Sequence, residues 1–318
     1  LEGAQSPAGE TLSPGGVTIR PFSSLRDYEA CTDFQEDVWG RGFSEKVSAA
    51  ILMIANRLGG LAAGAFDEEE VLQGFVFGLT GVVDGVLVHW SDMLAVRCGG
   101  RDRGLGTRLK LYQRDVVLAR GVREMRWTFD PLQGRNAHVN FTKLGIVCGE
   151  YVGNMYGETD SPLHRGIGTD RMVATWHIDS ERVVERLAGR MDGPALSGLG
   201  GLPREGRELL PDIQGVPEVL PVDEGGVFPV PGDPILSLDD SHLLLAIPTA
   251  IDSMMEADMH LAIRWREATR MAFSHYFSRG YEARELFRGE GVSPYLLVRP
   301  EGWESGRSGV GSEGEMTP

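Results

Sequence analysis

Asp92-Met93-Leu94-Ala95-Val96 runs directly into Arg97-Cys98-Gly99-Gly100 and then Arg101-Asp102-Arg103-Gly104-Leu105-Gly106-Thr107. The first stretch reads as the end of a strand from Val86 to Val96, and the last as the opening of a helix from about Gly104 to Arg120. A strand that enters a helix through a glycine-rich turn creates an anion site. The first-turn amides of a helix have no intrahelical acceptors, and its dipole places partial positive charge there. Gly104 and Gly106 let the backbone approach a ligand closely. Arg101 and Arg103 add fork-shaped cationic donors. Together these features point to a pyrophosphate. No Gly-Lys-Ser/Thr follows, so this is not a Walker A loop, and the GxGxxG of a dinucleotide fold is absent.

Outward from this turn, strands and helices alternate. Upstream come a strand at Val17–Pro21 and a helix from Leu25 to Val38 capped by Ser24. A second helix from about Glu45 to Leu58 follows, and then strands Leu61–Phe66 and Val71–Leu79 joined by the acidic turn Asp67–Glu70. Downstream come a strand Glu124–Phe129, a helix from Gly134 to Leu144, and strands Val147–Val152 and Arg171–His177. The order predicts an α/β (α+β) domain over residues 17–178, with a mixed, mostly antiparallel sheet and flanking helices.

Arg101-x-x-Gly104-x-Gly106 resembles the pyrophosphate signature of the GNAT superfamily of N-acyltransferases. A second element, Asn136-Ala137-His138-Val139-Asn140-Phe141-Thr142-Lys143-Leu144-Gly145-Ile146, is similar to the superfamily's Asn…Tyr-x-Lys-x-Gly-Phe helix. The resemblance covers about residues 17–178. Phe129-Asp130-Pro131-Leu132 and Thr169-Asp170-Arg171 also look like a bacterial branch of predicted GNAT enzymes.

The resemblance implies a GNAT fold and an acyl-CoA cosubstrate, acetyl-CoA or a succinyl-type relative. It implies that strand 86–96 splays from strand 124–129. Backbone groups of Leu94, Ala95 and Val96 would then pair with the pantetheine arm. Residues Arg101, Asp102, Arg103, Gly104, Leu105, Gly106 and Thr107 would hold the pyrophosphate, and Asn136, Phe141 and Lys143 would lie beside the thioester end. The implied reaction is direct attack of an amine on the thioester, which needs a base for the amine and an acid for the thiolate. Strand alternation places Trp90, Asp92 and Leu94 on one face and His89, Ser91 and Met93 on the other. Asp92 matches the base position best and His89 second; each also has a plain reading, as a strand-end polar residue or a packed histidine. The superfamily's acid Tyr falls at Phe141, which carries no proton. Tyr151 and Tyr156 are the nearest replacements in sequence, and Tyr156 is the catalytic candidate of the two. Cys98 reads as a small apolar filler.

Composition narrows the partners. The chain has 318 residues, of which 42% are hydrophobic and 24% charged, with a net charge of −15 from 31 basic and 46 acidic side chains. Such an acidic surface disfavours nucleic acid. No apolar run is long enough to cross a bilayer. Three scattered cysteines give neither a disulfide framework nor a zinc site, so a reduced, cytoplasmic protein without metal is expected. The implied acceptor is a small-molecule amine, with an amino acid as one instance. The sequence leaves a homodimer open, and a non-catalytic acyl-CoA sensor or scaffold is the alternative function.

Residues 1–16 and 301–318 read as disordered tails. Residues 179–237 read as a linker because 189–237 is rich in Gly and Pro. The C-terminal region 238–300 should hold a strand at His242–Ile247, helical sequence from about Thr249 to Arg279, and a closing hairpin, Tyr281–Phe287 with Tyr295–Val298. Its helix-then-strands order is readable as a degenerate second half of the GNAT fold, or as an unrelated helix with a hairpin. In both readings it packs on the 17–178 block.

Overall fold

A computed structural model of the protein describes residues 11–13, 16–41, 43, 45–97, 104–157, 166–188 and 213–300. The chain forms two compact units: Leu1–Trp127 with Thr175–Val184, and Thr128–Ala174 with Glu185–Pro318. These do not coincide with the segments 17–178 and 238–300 expected from sequence.

In the first unit, β1 (Thr11–Ser13), β2 (Val17–Pro21), β3 (Leu61–Phe66), β4 (Leu72–Val83) and β5 (Val86–Val96) pair successively, all antiparallel. Residues 11–13 therefore contribute a strand where the sequence suggested only a tail. Helix α1 (Leu25–Trp39) begins at Ser24, and Asp27 closes a capping box with it. Helix α2 (Ala49–Arg57) starts later than expected, because Ser48 is its cap. Helix α3 (Leu105–Ala119) carries the chain from β5 to β6 (Glu124–Phe129), which joins β5 in parallel. A parallel neighbour requires such a crossover.

The sheet of this unit has a core on each face. On one, Tyr28, Phe34 and Leu52 of α1 and α2 meet Phe75, Phe77, Met93 and Ala95. On the other, Leu105, Leu109, Tyr112 and Val116 of α3 cover Ala63, Val76, Leu94 and Val96.

The second unit contains α4 (Gly134–His138), which continues as a π-helical turn, Val139–Leu144, and ends at left-handed Gly145. Its strands are β7 (Val147–Val152), β11 (His242–Pro248), β12 (Glu282–Leu286) and β13 (Val292–Val298). They are ordered β7-β12-β13-β11, and each neighbour is antiparallel. The remaining strand, β8 (Arg171–His177), and helix α5 (Glu181–Ala188) straddle the unit boundaries.

The expected single helix from Thr249 to Arg279 is two: α6 (Ile251–Ala257) and α7 (Met259–Ser278). Asp258 breaks the helical run, with an extended backbone and a side chain that accepts from the Leu261 amide. The Gly/Pro-rich segment is also more ordered than a linker. Its described part carries β9 (Val222–Asp223) and β10 (Val230–Pro231), and Val219 and Leu220 are buried. Pro229 accepts a hydrogen bond from the Trp265 indole at 2.9 Å. Helix α5 falls at the start of the segment 179–237 expected to be a linker, just before its Gly/Pro-rich part. No described helix is long and apolar enough to cross a membrane.

Candidate active site

Strand β5 pairs along one edge with β4 through its whole length. Along its other edge it pairs with β6 only at Val88, His89 and Trp90, opposite Glu124, Met125 and Arg126. From Ser91 to Val96 that edge has no strand partner among the described residues.

The strand is not regular. Phe77 opposes Met93 and Gly78 opposes Ser91, so Asp92 is the extra residue of a β-bulge. The bulge overturns the alternation expected from sequence. Before it, His89 and Ser91 face α3, bonding to Gln113 and Lys110. After it, Leu94 and Val96 lie on the α3 face, and Met93 and Ala95 lie on the opposite face with α1 and α2. Met93 therefore does not share a face with His89 and Ser91: one inserted residue reverses the phase of everything beyond it.

Asp92 itself is exposed to solvent, and desolvation by the surrounding protein still raises its carboxyl above the ordinary aspartate value. Its exposure lets a substrate reach the carboxyl. His89 is different: it is 0% exposed and both ring nitrogens are engaged. Nδ1 lies 2.9 Å from Thr80 Oγ1, and Nε2 lies 2.9 Å from Gln113 Nε2. Desolvation above all, then the charges of Lys110 and Arg120, hold its pKa at about 3. Such a histidine stays neutral and out of reach of an amine.

At the start of α3, Gly104 adopts φ +71°, a left-handed conformation, and among the described residues no side chain caps the helix. A helix start leaves its first-turn amides, here Leu105, Gly106 and Thr107, without intrahelical acceptors. A Cβ on Gly106 would rest 3.4 Å from Leu94 Cδ2, so the glycine keeps that turn close to β5. Arg101, Asp102 and Arg103, like Cys98, lie outside the described residues.

The remaining candidates belong to the second unit. Asn136 is exposed on α4 and Lys143 is half-buried in the π-helical turn. Phe141, expected beside the cofactor, is wholly buried between Phe129 and Tyr295, with ring centroids 6.1 and 5.5 Å away. It is an aromatic core residue. Tyr156 is exposed, 3.0 Å from Thr128 Oγ1, and lies under the Arg171 guanidinium. Tyr151 is committed elsewhere: its hydroxyl donates to Asp170 at 2.5 Å, and desolvation followed by that carboxylate's charge raises its pKa.

Sequence reasoning missed what Asp130 and Asp170 do. Asp130 takes a hydrogen bond from Arg266 at 2.6 Å, and Asp170 is gripped by both Nε and Nη2 of Arg270. The two arginines stand four apart on α7, on adjoining turns of one face. The signal was the Arg266-x-x-x-Arg270 spacing beside the apolar Trp265, Phe273 and Tyr276 of α7. Lys110, buried with no carboxylate partner among the described residues, was also missed; a helical wheel of α3 would have shown it on the apolar face. No group of three or more His, Cys, Asp or Glu side chains among the described residues is arranged for a metal.

No protein-family profile matches the chain, and no curated protein does. Solved structures do. The ribosomal-protein-S18-alanine N-acetyltransferase of Escherichia coli is 18% identical, at a TM-score of 0.39, over 52% of this chain and 95% of that one. An aminoglycoside 6'-acetyltransferase type Ii is 19% identical, at 0.41, over 51% and 98%. A GNAT-family acetyltransferase of Streptococcus pneumoniae is 15% identical, at 0.41, over 50% and 98%. This chain is similar, over about half its length, to acetyltransferases that it spans almost end to end.

Proposed function

We propose that the protein is an acyl-CoA-dependent N-acyltransferase of the GNAT type. It would move an acetyl or succinyl-type group to the amine of a small molecule, such as an amino acid. One observation carries this reading: the edge of β5 from Ser91 to Val96, which has no strand partner among the described residues, leads along the chain to a glycine-started helix with no side-chain cap among them. An extended pantetheine arm suits the strand edge, and a pyrophosphate suits the helix start. The glycines and arginines of the sequence motif support the same placement.

In the proposed reaction the Asp92 carboxylate takes a proton from the attacking ammonium, directly or through water. The freed nitrogen lone pair bonds to the thioester carbon, the C–S bond breaks, the thiolate leaves with the electron pair, and the nitrogen's remaining extra proton passes to that thiolate through the acid or water. A carboxyl raised by desolvation is a better proton acceptor than an ordinary aspartate. His89 is set aside as base on its burial and its two occupied nitrogens. Tyr156 is retained as the candidate thiolate acid because its hydroxyl is exposed.

The second reading, a non-catalytic acyl-CoA sensor, is favoured by the interior placement of Phe141, which leaves the usual acid position without a proton. Purified protein mixed with acetyl-CoA and a panel of amines separates the two. Thiol release together with a mass-detected amide supports transfer, and Asp92→Asn should slow it by about a hundredfold or more. CoA binding by calorimetry with no thiol release under any amine would favour the sensor. Absence of CoA binding would reject both.

A further inference from the structure

Five side chains in the first unit form one hydrogen-bonded chain from α3 to β4. Lys110 Nζ donates to Ser91 Oγ at 2.7 Å, and Ser91 Oγ donates to Gln113 Oε1 at 2.8 Å. Gln113 Nε2 lies 2.9 Å from His89 Nε2, and His89 Nδ1 lies 2.9 Å from Thr80 Oγ1. Thr80 Oγ1 donates to the Gly59 carbonyl at 2.9 Å. The directions are fixed by elimination. The Thr80 hydroxyl spends its proton on Gly59, so it must accept from His89 Nδ1–H. The bare Nε2 then accepts from the Gln113 amide, whose carbonyl accepts from Ser91. Ser91 must in turn accept, and Lys110 has only donors.

The chain begins on a lysine that is poorly placed for stability. Lys110 is 7% exposed, and desolvation drives its pKa well below the ordinary lysine value. Among the described residues no carboxylate answers it; its Nζ lies 3.7 Å from the centre of the Trp127 ring. An apolar side chain at this helix position would avoid the desolvation cost. Rules broken without local compensation are expected where function requires them. Ser91, which receives the lysine, immediately precedes the bulged Asp92. Opposite Ser91 stands Gly78, where a Cβ would fall 2.4 Å from His89 Nε2 and 2.6 Å from the Trp90 carbonyl oxygen. The missing side chain makes the room for this chain to reach the bulge.

We propose that Lys110, acting through Ser91, locks the bulge that presents the Asp92 carboxyl, and so is a positioning residue for acyl transfer. The proposal rests on the N-acyltransferase reading for its consequence, although the lock itself is a property of this unit alone. Among the described residues, His89 on β5 feels the charges of both Lys110 and Arg120, which ends α3. Without the lock the strand relaxes towards regular alternation, and Asp92 leaves the desolvated position that raises its pKa.

The test uses the full chain and Lys110→Met, which keeps the length and removes the charge. The Asp92 side-chain carboxyl is titrated by carbon-13 NMR, with Asp84 in the exposed β4–β5 turn as internal control. The Asp92 midpoint should fall by ~0.5 pH unit or more in Lys110→Met, with Asp84 unchanged. Ser91→Ala should reproduce the fall, and Ser91→Thr, which restores a hydroxyl, should reverse it. With acetyl-CoA and a responding amine, Lys110→Met should lower kcat about tenfold or more and leave KM for acetyl-CoA unchanged. An Asp92 titration identical to that of the parent in Lys110→Met overturns the lock. So does a Ser91→Thr variant no better than Ser91→Ala. If Lys110→Met does not fold, the two Ser91 variants decide alone by the same titration. If the parent protein releases no thiol, the acyl-transfer reading fails and the titration still decides the lock.

Discussion

Arg266, near the middle of α7, donates through Nη2 to Asp130 Oδ2 at 2.6 Å, and the two side chains are only 2% and 4% exposed. The pair is held further: Arg266 Nε donates to the Ile167 carbonyl, and Asp130 Oδ1 accepts from the Leu132 amide. Removing one partner strands a buried charge. Arg266→Met should therefore destabilise the protein by about 3–5 kcal/mol in urea unfolding. Combining it with Asp130→Asn, which keeps the acceptor for Leu132, should recover part of the loss. Equal losses for the single and double variants would show that the charge of Asp130 is not the issue.

His89 makes a prediction about acid. Its pKa is about 3 when folded, against an ordinary 6.5. The unfolded chain binds the proton more readily, so this residue contributes stability that is complete above about pH 6.5 and is lost as pH falls from there towards 3. A His89→Gln variant should lose less stability than the parent between those limits. Urea midpoints at a series of pH values check this, and parallel curves for the two proteins would refute it.

Phe141→Tyr restores the superfamily's acid in name only. The added hydroxyl would enter a wholly buried aromatic cluster with Phe129 and Tyr295. An unpartnered buried hydroxyl costs about 1–3 kcal/mol. The expected result is a lower Tm with no gain in thiol release, whereas Tyr156→Phe, at an exposed position, should leave Tm unchanged and lower thiol release if Tyr156 is the acid.

Gly104→Asp probes the anion site directly. No described residue lies within 4 Å of a Cβ there, so a clash with one is not what the substitution tests. The left-handed φ of +71° is tolerated by aspartate better than by most residues. What changes is the charge at a helix start. CoA affinity measured by calorimetry should fall by at least tenfold, and the fall should lessen in high salt. An unchanged affinity would move the pyrophosphate elsewhere.

Much of the fold could be read from the chain because local signals agreed with the final packing. Strands Leu61–Phe66, Val86–Val96, Glu124–Phe129, Val147–Val152 and Arg171–His177 have the bounds their apolar patterns suggest. Ser24 caps α1 as its position implies. The errors arise where a non-local contact decides. The Asp92 bulge depends on how β5 meets β4, and no alternation rule contains it. Asp258 stops a helix in a segment whose composition is uniformly helical. Composition also misjudges residues 213–237, because a Gly/Pro-rich chain becomes ordered when a neighbour such as Trp265 binds its carbonyls. Of the candidate site, the glycine turn was visible from spacing, while the burial of His89 and Phe141 required the tertiary structure.

The π-helical turn at Val139–Leu144 has a consequence for anyone aligning this chain to others. Asn136 and Lys143 are seven positions apart, which on a regular α-helix brings them back to nearly the same face. A π-turn winds more residues into each revolution, so the second position is rotated away from the first. Gapless alignment through 136–143 therefore pairs residues that do not superimpose in space on those of an unbroken helix. A single-residue deletion inside the turn would restore the α-helical phase. In a deletion scan of this segment, one missing residue should be tolerated better than two.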